Sequence, residues 1–170
     1  MNRRLISPAQ THRVVAALFL AAASALARDR QCADCRIVVS IPEHKLVLVE
    51  GDRVMKVYDI ASGRPSSPTP RGEYHIVTHV AHPTWYGPHR VVPPGVSNPL
   101  GTRWMGLSVA GFGIHGTNDP RSIGHDASHG CIRMRNADVE ELFELVTVGI
   151  PVELLGEPSD EFRKLIADAD

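Results

Sequence analysis

The chain has no excess of positive charge, no long apolar run beyond residue 27, and few cysteines. Its 170 residues include 18 Lys and Arg against 19 Asp and Glu. A protein that binds nucleic acid needs a basic face, which this balance does not provide. No apolar stretch after residue 27 reaches the roughly 20 residues that a membrane-spanning helix requires. The sequence therefore argues against nucleic acid as a partner and against a transmembrane segment after residue 27.

Residues 1–27 have the composition of a secretion signal. Three arginines and no acidic residue precede an apolar run over residues 14–25, and Ala25-Leu26-Ala27 is typical of a cleavage site. We therefore predict an exported protein that works in the periplasm or the cell wall. Without these residues the chain carries 15 basic and 19 acidic side chains, which leaves a net charge of −4.

The three cysteines divide into a close pair and a single residue. Cys32 and Cys35 form a C-x-x-C pair at the end of an N-terminal segment, residues 28–35. A local disulfide is the first interpretation of this pair, and half of a metal site is the second. Cys131 is left over, and an odd cysteine in an oxidising compartment indicates either an intermolecular bridge or a reactive thiol.

Short β-rich runs predict a mainly β domain, a sandwich or distorted barrel, over residues 36–156. One clear helix is predicted after residue 135, with Asn136 as its N-cap and apolar residues at helical spacing as far as Val146. Residues 157–170 form a polar, acidic tail. The predicted strands cover residues 36–41, 46–50, 53–60, 73–80, 104–109, 111–115 and 151–155.

Residues 81–103 are rich in proline and contain the adjacent aromatics Trp85 and Tyr86. Irregular stretches of this length within a domain are usually functional or disordered. The two aromatics favour a wall or lid over a substrate groove. An ordered loop held by aromatic packing explains them equally well, and both interpretations stay open.

Chemically reactive side chains are concentrated between residues 114 and 136. His115, His125, Ser128, His129 and Cys131 lie close together in this segment. A free thiol is a weak nucleophile at its usual pKa of roughly 8.5, because the thiolate is the attacking species. A nearby imidazole can accept the proton and leave a thiolate–imidazolium pair. Residues 128–131 are polar and contain glycine, which suits an exposed turn, so we predict a cysteine nucleophile.

Two motifs in this segment are similar to a known family. The sequences H-G-T at residues 115–117 and S-H-G-C-I-R-M at residues 128–134 resemble the signature of the L,D-transpeptidase catalytic domain, of the YkuD or ErfK type. Segments at residues 63–72, 83–86 and 98–104 look like other parts of that domain. The resemblance covers residues 36–156 and shows no departure at the motif positions.

The resemblance implies a role for each catalytic position. Cys131 matches the acylated nucleophile, and His115 matches the base. The backbone carbonyl of Gly116 matches the group that orients the ring of His115. His129 matches a second active-site histidine, and backbone N–H groups around Gly130 and Cys131 match an oxyanion hole.

The resemblance also implies substrate contacts and a reaction. Cys131 would attack the amide before the terminal D-alanine of a peptidoglycan tetrapeptide stem, forming a thioester and releasing D-alanine. An amine of a neighbouring stem, or a lysine of a wall-anchored protein, would then accept the acyl group. With water as the acceptor the enzyme would be an L,D-carboxypeptidase. No cofactor or metal is expected. The expected substrate-side residues are Arg133, Ser128, Thr117, Trp85 and Tyr86, and the resemblance is equally compatible with Arg133 as an arginine that organises the site.

A zinc site and a papain-like peptidase are the main alternatives. The spacings His79-x-x-His82 and His125-x-x-x-His129 could indicate metal ligands, but the sequence contains no H-E-x-x-H and neither pair lies in a helical pattern. Papain-like peptidases place their cysteine before their histidine, whereas in this chain the order is reversed. A non-catalytic wall protein with the same fold would not need both a histidine and a cysteine in these motifs.

Overall fold

The structure, a computed structural model, describes Cys32, residues 34–167 and Ala169, and its centre is an eight-stranded β-sheet. The predicted secretion signal lies outside the described residues. The prediction of a mainly β domain is confirmed, with two α-helices instead of one. The strands are β1 (Cys35–Ser40), β2 (Lys45–Glu50), β3 (Arg53–Asp59), β4 (Ser62–Gly63), β5 (Gly72–Ala81), β6 (Trp85–Tyr86), β7 (Val91–Val92), β8 (Arg103–Leu107), β9 (Gly113–His115), β10 (Asp126–Ser128), β11 (Ile132–Arg133) and β12 (Pro151–Leu155). The helices are α1 (Asn136–Leu145) and α2 (Asp160–Ala167), and a 3-10 turn covers Pro120–Ser122.

The order of strands in the large sheet is β11-β9-β8-β5-β12-β1-β2-β3. Two neighbouring pairs, β12 with β1 and β11 with β9, are parallel, and the other pairs are antiparallel. Two small pairs, β4 with β10 and β6 with β7, complete the β-structure. This order leaves the short strand β11 at one edge of the sheet, where the residue before it is Cys131.

One face of the large sheet is covered by α1 and forms the main core. Four strands near the β11 edge each contribute one side chain that is at most 1% exposed: Ile76, Met105, Ile114 and Ile132. The apolar residues of α1 pack against β8 and β9. Each buried aliphatic side chain contributes about 1.5–3 kcal/mol relative to exposure, so the strand that carries His115 rests on a rigid layer.

Asn136 is the first residue of α1, and the N-cap position is Arg135, whose side chain makes no cap hydrogen bond. The side chain of Asn136 accepts hydrogen bonds from the backbone N–H groups of Thr117 at 3.1 Å and Thr102 at 3.4 Å. The predicted capping role is therefore wrong, although the predicted start of the helix is correct. The short amide joins two loops to α1 because its oxygen can accept two bonds at once.

Residues 157–170, which the sequence predicts to be a polar tail, contain the helix α2. Phe162 is 1% exposed and packs with Val38, Val47 and Val49, apart from the main core. The segment is polar in overall composition, but α2 has one narrow apolar face. This face attaches the helix to the sheet. Among the described residues, no helix is long and apolar enough to cross a membrane.

Cys32 and Cys35 form a disulfide whose Cα atoms lie 5.5 Å apart. The backbone N–H of Cys32 donates to the carbonyl of Leu145 at 3.0 Å. The disulfide segment is thereby joined to the last turn of α1. Within the described part of the chain, Cys131 is the cysteine that remains free.

The proline-rich stretch after β5 is held by a buried amide. Asn98 is 0% exposed, and its Nδ2 donates to the carbonyls of Pro83 at 2.8 Å, Pro93 at 3.1 Å and Val92 at 3.2 Å. This is an ordered loop, in which the buried amide of Asn98 acts together with the packing of Trp85 against Gly87 and Arg90.

Candidate active site

His115 ends β9 and Cys131 directly precedes β11, the neighbouring strand at the edge of the sheet. The parallel register of β11 and β9 places Ile132 opposite Ile114 and Arg133 opposite His115. Side chains alternate between the two faces of a sheet. Because the two isoleucines enter the core, Cys131, Arg133 and His115 face the other side together. The register therefore brings a thiol, an imidazole and a guanidinium to one surface.

The imidazole of His115 has a defined tautomer. Its Nδ1 lies 2.6 Å from the carbonyl oxygen of Gly116, which can only accept a hydrogen bond, so the ring proton is on Nδ1. The side chain is 4% exposed. Burial, with a smaller contribution from the charge of Arg133, lowers the pKa of His115 to about 4, against the opposing effect of the Gly116 hydrogen bond. At neutral pH the ring is uncharged, and Nε2 carries a lone pair.

The thiol of Cys131 is half-buried and in its neutral form. Burial raises the pKa of this thiol, while a hydrogen bond from the Gly113 backbone and the charge of Arg133 act in the opposite direction. Sγ also lies 3.6 Å from the carbonyl oxygen of Gly111. The expected resting thiolate–imidazolium pair is therefore not favoured, because both groups are desolvated.

Ser128 holds the turn that carries the nucleophile. Its side chain is 1% exposed. The hydroxyl donates to the carbonyl of Cys131 at 2.6 Å and accepts from the N–H of Gly130 at 2.9 Å. Ser128 is therefore not positioned as the predicted substrate contact, because its hydroxyl is buried and fully used within the turn. The Gly130 N–H is engaged as well, which leaves the N–H of Cys131 as the remaining candidate of the predicted oxyanion donors.

Gly130 occupies a position that only glycine fits. Its φ of +108° is in a region that other residues rarely adopt, and an added Cβ would meet the ring of Phe112 and, at 3.2 Å, the carbonyl oxygen of Pro68. The turn thus lies between Phe112, the residue directly before β9, and Pro68, in the loop before β5.

Thr117 also has a structural position instead of the predicted substrate contact. It is 3% exposed, its hydroxyl accepts from the N–H of Asp119 at 3.0 Å, and its own N–H donates to Asn136. The residue shapes the loop that follows His115 and connects it to α1.

His129 is exposed and contacts an arginine that the motif does not include. Its Nε2 is hydrogen-bonded to Nη2 of Arg64. A guanidinium can only donate, so Nε2 accepts and cannot serve as a free proton acceptor in this arrangement. The Arg64 N–H also donates to the carbonyl of Ser128 at 3.1 Å, and the Ser67 hydroxyl donates to the carbonyl of His129 at 3.0 Å. The only sequence signal for Arg64 is its place in the segment at residues 63–72.

Arg133 is half-buried beside the thiol. Burial lowers the pKa of its guanidinium, as does the charge of Arg64, whereas Asp119 and Cys131 raise that pKa. Its Nε is fully buried and has no hydrogen-bond partner among the described residues. Arg133 is therefore the charged group that acts on the Cys131 thiol, and it is in turn under the influence of Arg64 and Asp119.

Trp104 is a further site residue, and its only sequence signal is its place in the segment at residues 98–104. It stands opposite His115 on β8, and the two rings stack with centroids 5.7 Å apart and an interplanar angle of 28°. The indole lies over Gly113, where an added Cβ would fall 2.6 Å from the ring. Its Nε1 donates to the hydroxyl of Thr78 at 3.2 Å. Trp104 covers one side of His115 and contributes to its dry surroundings.

The structure does not place the aromatic pair of the long loop, Trp85 and Tyr86, beside the thiol and the imidazole. Tyr86 is 78% exposed, and Trp85 lies 5.7 Å from the guanidinium of Arg90. Within the described part of the chain, no hydrogen bond or ring contact joins either aromatic to His115 or Cys131. The loop reaches the site region through a bond of 3.1 Å from Asn118 Nδ2 to the carbonyl of Ser97.

Comparison with known proteins points to one family. The YkuD family model, the L,D-transpeptidase catalytic domain, matches residues 34–154. The putative L,D-transpeptidase YkuD of Bacillus licheniformis is 43% identical over 119 residues, which are 70% of this chain and 64% of that protein. The putative L,D-transpeptidase YqjB of Bacillus subtilis is 33% identical over 137 residues, 78% of this chain and 77% of that protein. The structure of the catalytic domain of the E. faecium L,D-transpeptidase superposes with a TM-score of 0.59 at 27% identity, covering 72% of this chain and 97% of that one.

Proposed function

This chain belongs to the L,D-transpeptidase catalytic-domain family, and we propose that it is an exported enzyme that cleaves and rejoins the peptide stems of peptidoglycan. One observation carries this proposal. Cys131 and His115 share one face of the β9–β11 pair, and the ring proton of His115 is held on Nδ1 by Gly116. A thiol and an unprotonated Nε2 on the same surface are the two groups that acyl transfer through a thioester requires.

The first step forms the thioester. Sγ of Cys131 attacks the carbonyl carbon of the amide before the terminal D-alanine, while Nε2 of His115 takes the thiol proton. The Cys131 N–H is the remaining candidate donor to the developing oxyanion, since the Gly130 N–H is already bonded to Ser128. The carbon–nitrogen bond then breaks, and the imidazolium gives its proton to the departing amine of D-alanine.

The second step transfers the acyl group. The side-chain amine of the third residue of another stem attacks the thioester, and His115 takes a proton from that amine. The carbon–sulfur bond breaks, Sγ recovers its proton, and a new amide joins two third residues. A lysine of a wall-anchored protein would follow the same course, and water in place of the amine would give a tripeptide.

Incubation of the purified protein with disaccharide tetrapeptides, followed by mass spectrometry, tests the proposal. We expect cross-linked dimers together with free D-alanine, and neither product from the Cys131→Ser variant. Tripeptide plus D-alanine would identify a carboxypeptidase instead. Unchanged tetrapeptide with a folded protein would overturn the proposed function.

Export is part of the same proposal. The arginine-containing start, the apolar run and Ala25-Leu26-Ala27 support removal of residues 1–27. The N-terminus of the protein recovered from outside the cytoplasm should therefore be Arg28. An intact Met1 on such protein would contradict cleavage at this site.

A further inference from the structure

Arg64 is bonded to Ser128 and His129 of the nucleophile turn, and Arg133 follows Cys131 by two residues. Arg64 directly follows β4 and is fixed by its N–H bond to the carbonyl of Ser128. Arg133, in β11, pairs with Ala61 just before β4 through two backbone hydrogen bonds of 2.9 Å. The same short stretch of chain therefore positions both arginines relative to Cys131.

In the part of the chain that the structure describes, neither guanidinium is bonded to a carboxylate, although the charge of Asp119 acts on Arg133. Among the described residues, neither Arg64 nor Arg133 forms an ion pair. The Nε of Arg133 is buried without an acceptor, and a buried donor of this kind is rarely left unbonded in a complete site. His129 accepts from Arg64 and so fixes the position of that side chain without neutralising it.

From this arrangement we propose that Arg64 and Arg133 form a carboxylate clamp beside Cys131, which selects acyl donors with a free carboxylate near the scissile amide. Guanidinium groups match carboxylates in shape and donor geometry. Arg64 is then a specificity-determining residue, and His129 is a positioning residue that acts through Arg64. The inference rests on the proposed function for its substrate, although the clamp itself can be measured without that substrate.

A tetrapeptide stem offers two such carboxylates, the terminal carboxylate of D-alanine and the side-chain carboxylate of a diaminopimelate third residue. Three acyl-donor substrates show which of the two carboxylates the clamp binds: the free stem, the stem with a terminal amide, and the stem with lysine as third residue. We expect kcat/KM of the unaltered enzyme to fall by about tenfold when the clamped carboxylate is removed. In R64Q the free stem should lose a similar factor, and the discrimination should largely disappear.

Alkylation of Cys131 provides a readout that does not depend on the proposed function. Iodoacetate carries a carboxylate, iodoacetamide is its neutral analogue, and Sγ displaces iodide from both. We expect the ratio of the two labelling rates to fall by roughly threefold to fivefold in R64Q. A change in the thiol pKa affects both reagents equally, so the ratio isolates the attraction between the clamp and the anion.

R121Q is the matched control, because Arg121 belongs to the loop between His115 and Cys131 but its side chain is 95% exposed and 3.6 Å from Asp119. It should keep both the donor discrimination and the labelling ratio. If R64Q does not fold, the same measurements are made on R64M, which retains the aliphatic part of the side chain. Failure of the unaltered enzyme on every stem would overturn the proposed function alone. A labelling ratio that is the same in R64Q or R64M as in the unaltered protein would overturn the clamp alone.

Discussion

The Nδ1 atom of His115 lies 2.6 Å from the carbonyl oxygen of Gly116, the next residue in the chain. This contact between neighbours determines the tautomer of the ring, and burial determines its charge. A histidine of this kind is a proton acceptor at neutral pH, with its lone pair on Nε2. Its properties lead directly to two predictions about pH.

The acid limb of the pH–activity profile should be set by the protonation of His115. Since only the neutral ring accepts the thiol proton, kcat/KM should be retained below the ordinary histidine pKa of about 6.5 and should decline as the pH approaches the His115 pKa of about 4. Rates of Cys131 acylation between pH 3.5 and 8 measure this profile. In His115→Gln, acylation at pH 7 should slow by about 10²–10⁴-fold. An acid limb near pH 6.5 would mean that His115 is more hydrated than the structure shows.

Folding stability should decrease over the same pH range. A histidine whose folded pKa is depressed is protonated first in the unfolded chain, so stability present above about pH 6.5 is lost as the pH falls towards 4. His115 alone accounts for up to about 3 kcal/mol, and His79, whose pKa is also lowered chiefly by burial, adds in the same direction. Urea unfolding at pH 7.5 and 4.5 measures the difference. His115→Gln should reduce it, while His125→Gln, at an exposed position, should leave it unchanged.

Trp104 should control the pH at which His115 titrates. Removal of the indole in Trp104→Ala admits water to the ring of His115 and should raise the pKa of that imidazole towards 6.5. The acid limb of Cys131 acylation should therefore move to higher pH. Trp104→Phe, which retains an aromatic ring, should move it less. A loss of activity in Trp104→Ala that is equal at every pH would indicate a packing role only.

The sequence predicts the fold class, most strands and the Cys131–His115 pair, because strand periodicity and the two motifs are local features. It does not predict that the two residues share a face, since this depends on the register of β9 with β11. The sequence also does not predict Arg64 and Trp104 as site residues. Contacts between residues far apart in the sequence bring them there, Arg64 with Ser128 and Trp104 with His115. Ser128 and Thr117 are predicted as substrate contacts because they lie close to Cys131 and His115 in the sequence. The structure instead buries both residues within their own loops.

Ser128→Ala should weaken the turn that carries Cys131. The substitution removes an acceptor from the Gly130 N–H and a donor from the Cys131 carbonyl. Loss of such buried bonds costs about 1–3 kcal/mol, so the free energy of unfolding should fall by that amount. Ser67→Ala is the matched control, because the Ser67 hydroxyl is more exposed and contacts only the carbonyl of His129. Equal stabilities of the two variants would contradict the role of Ser128 as the support of the turn.

Carbapenem labelling should count one reactive cysteine per chain. The strained amide of a β-lactam is opened by a thiolate, and Cys131 is the free thiol beside a proton acceptor, whereas Cys32 and Cys35 are joined in a disulfide. Intact-protein mass spectrometry should show one adduct, located by peptide mapping to the peptide with Cys131 and missing from Cys131→Ser. Reduction should expose two further thiols to iodoacetamide but leave the carbapenem count at one, because the carboxylate of Glu50 lies beside both sulfurs and disfavours a thiolate there. An adduct on Cys32 or Cys35, or none on Cys131, would contradict the division into one catalytic and two structural cysteines.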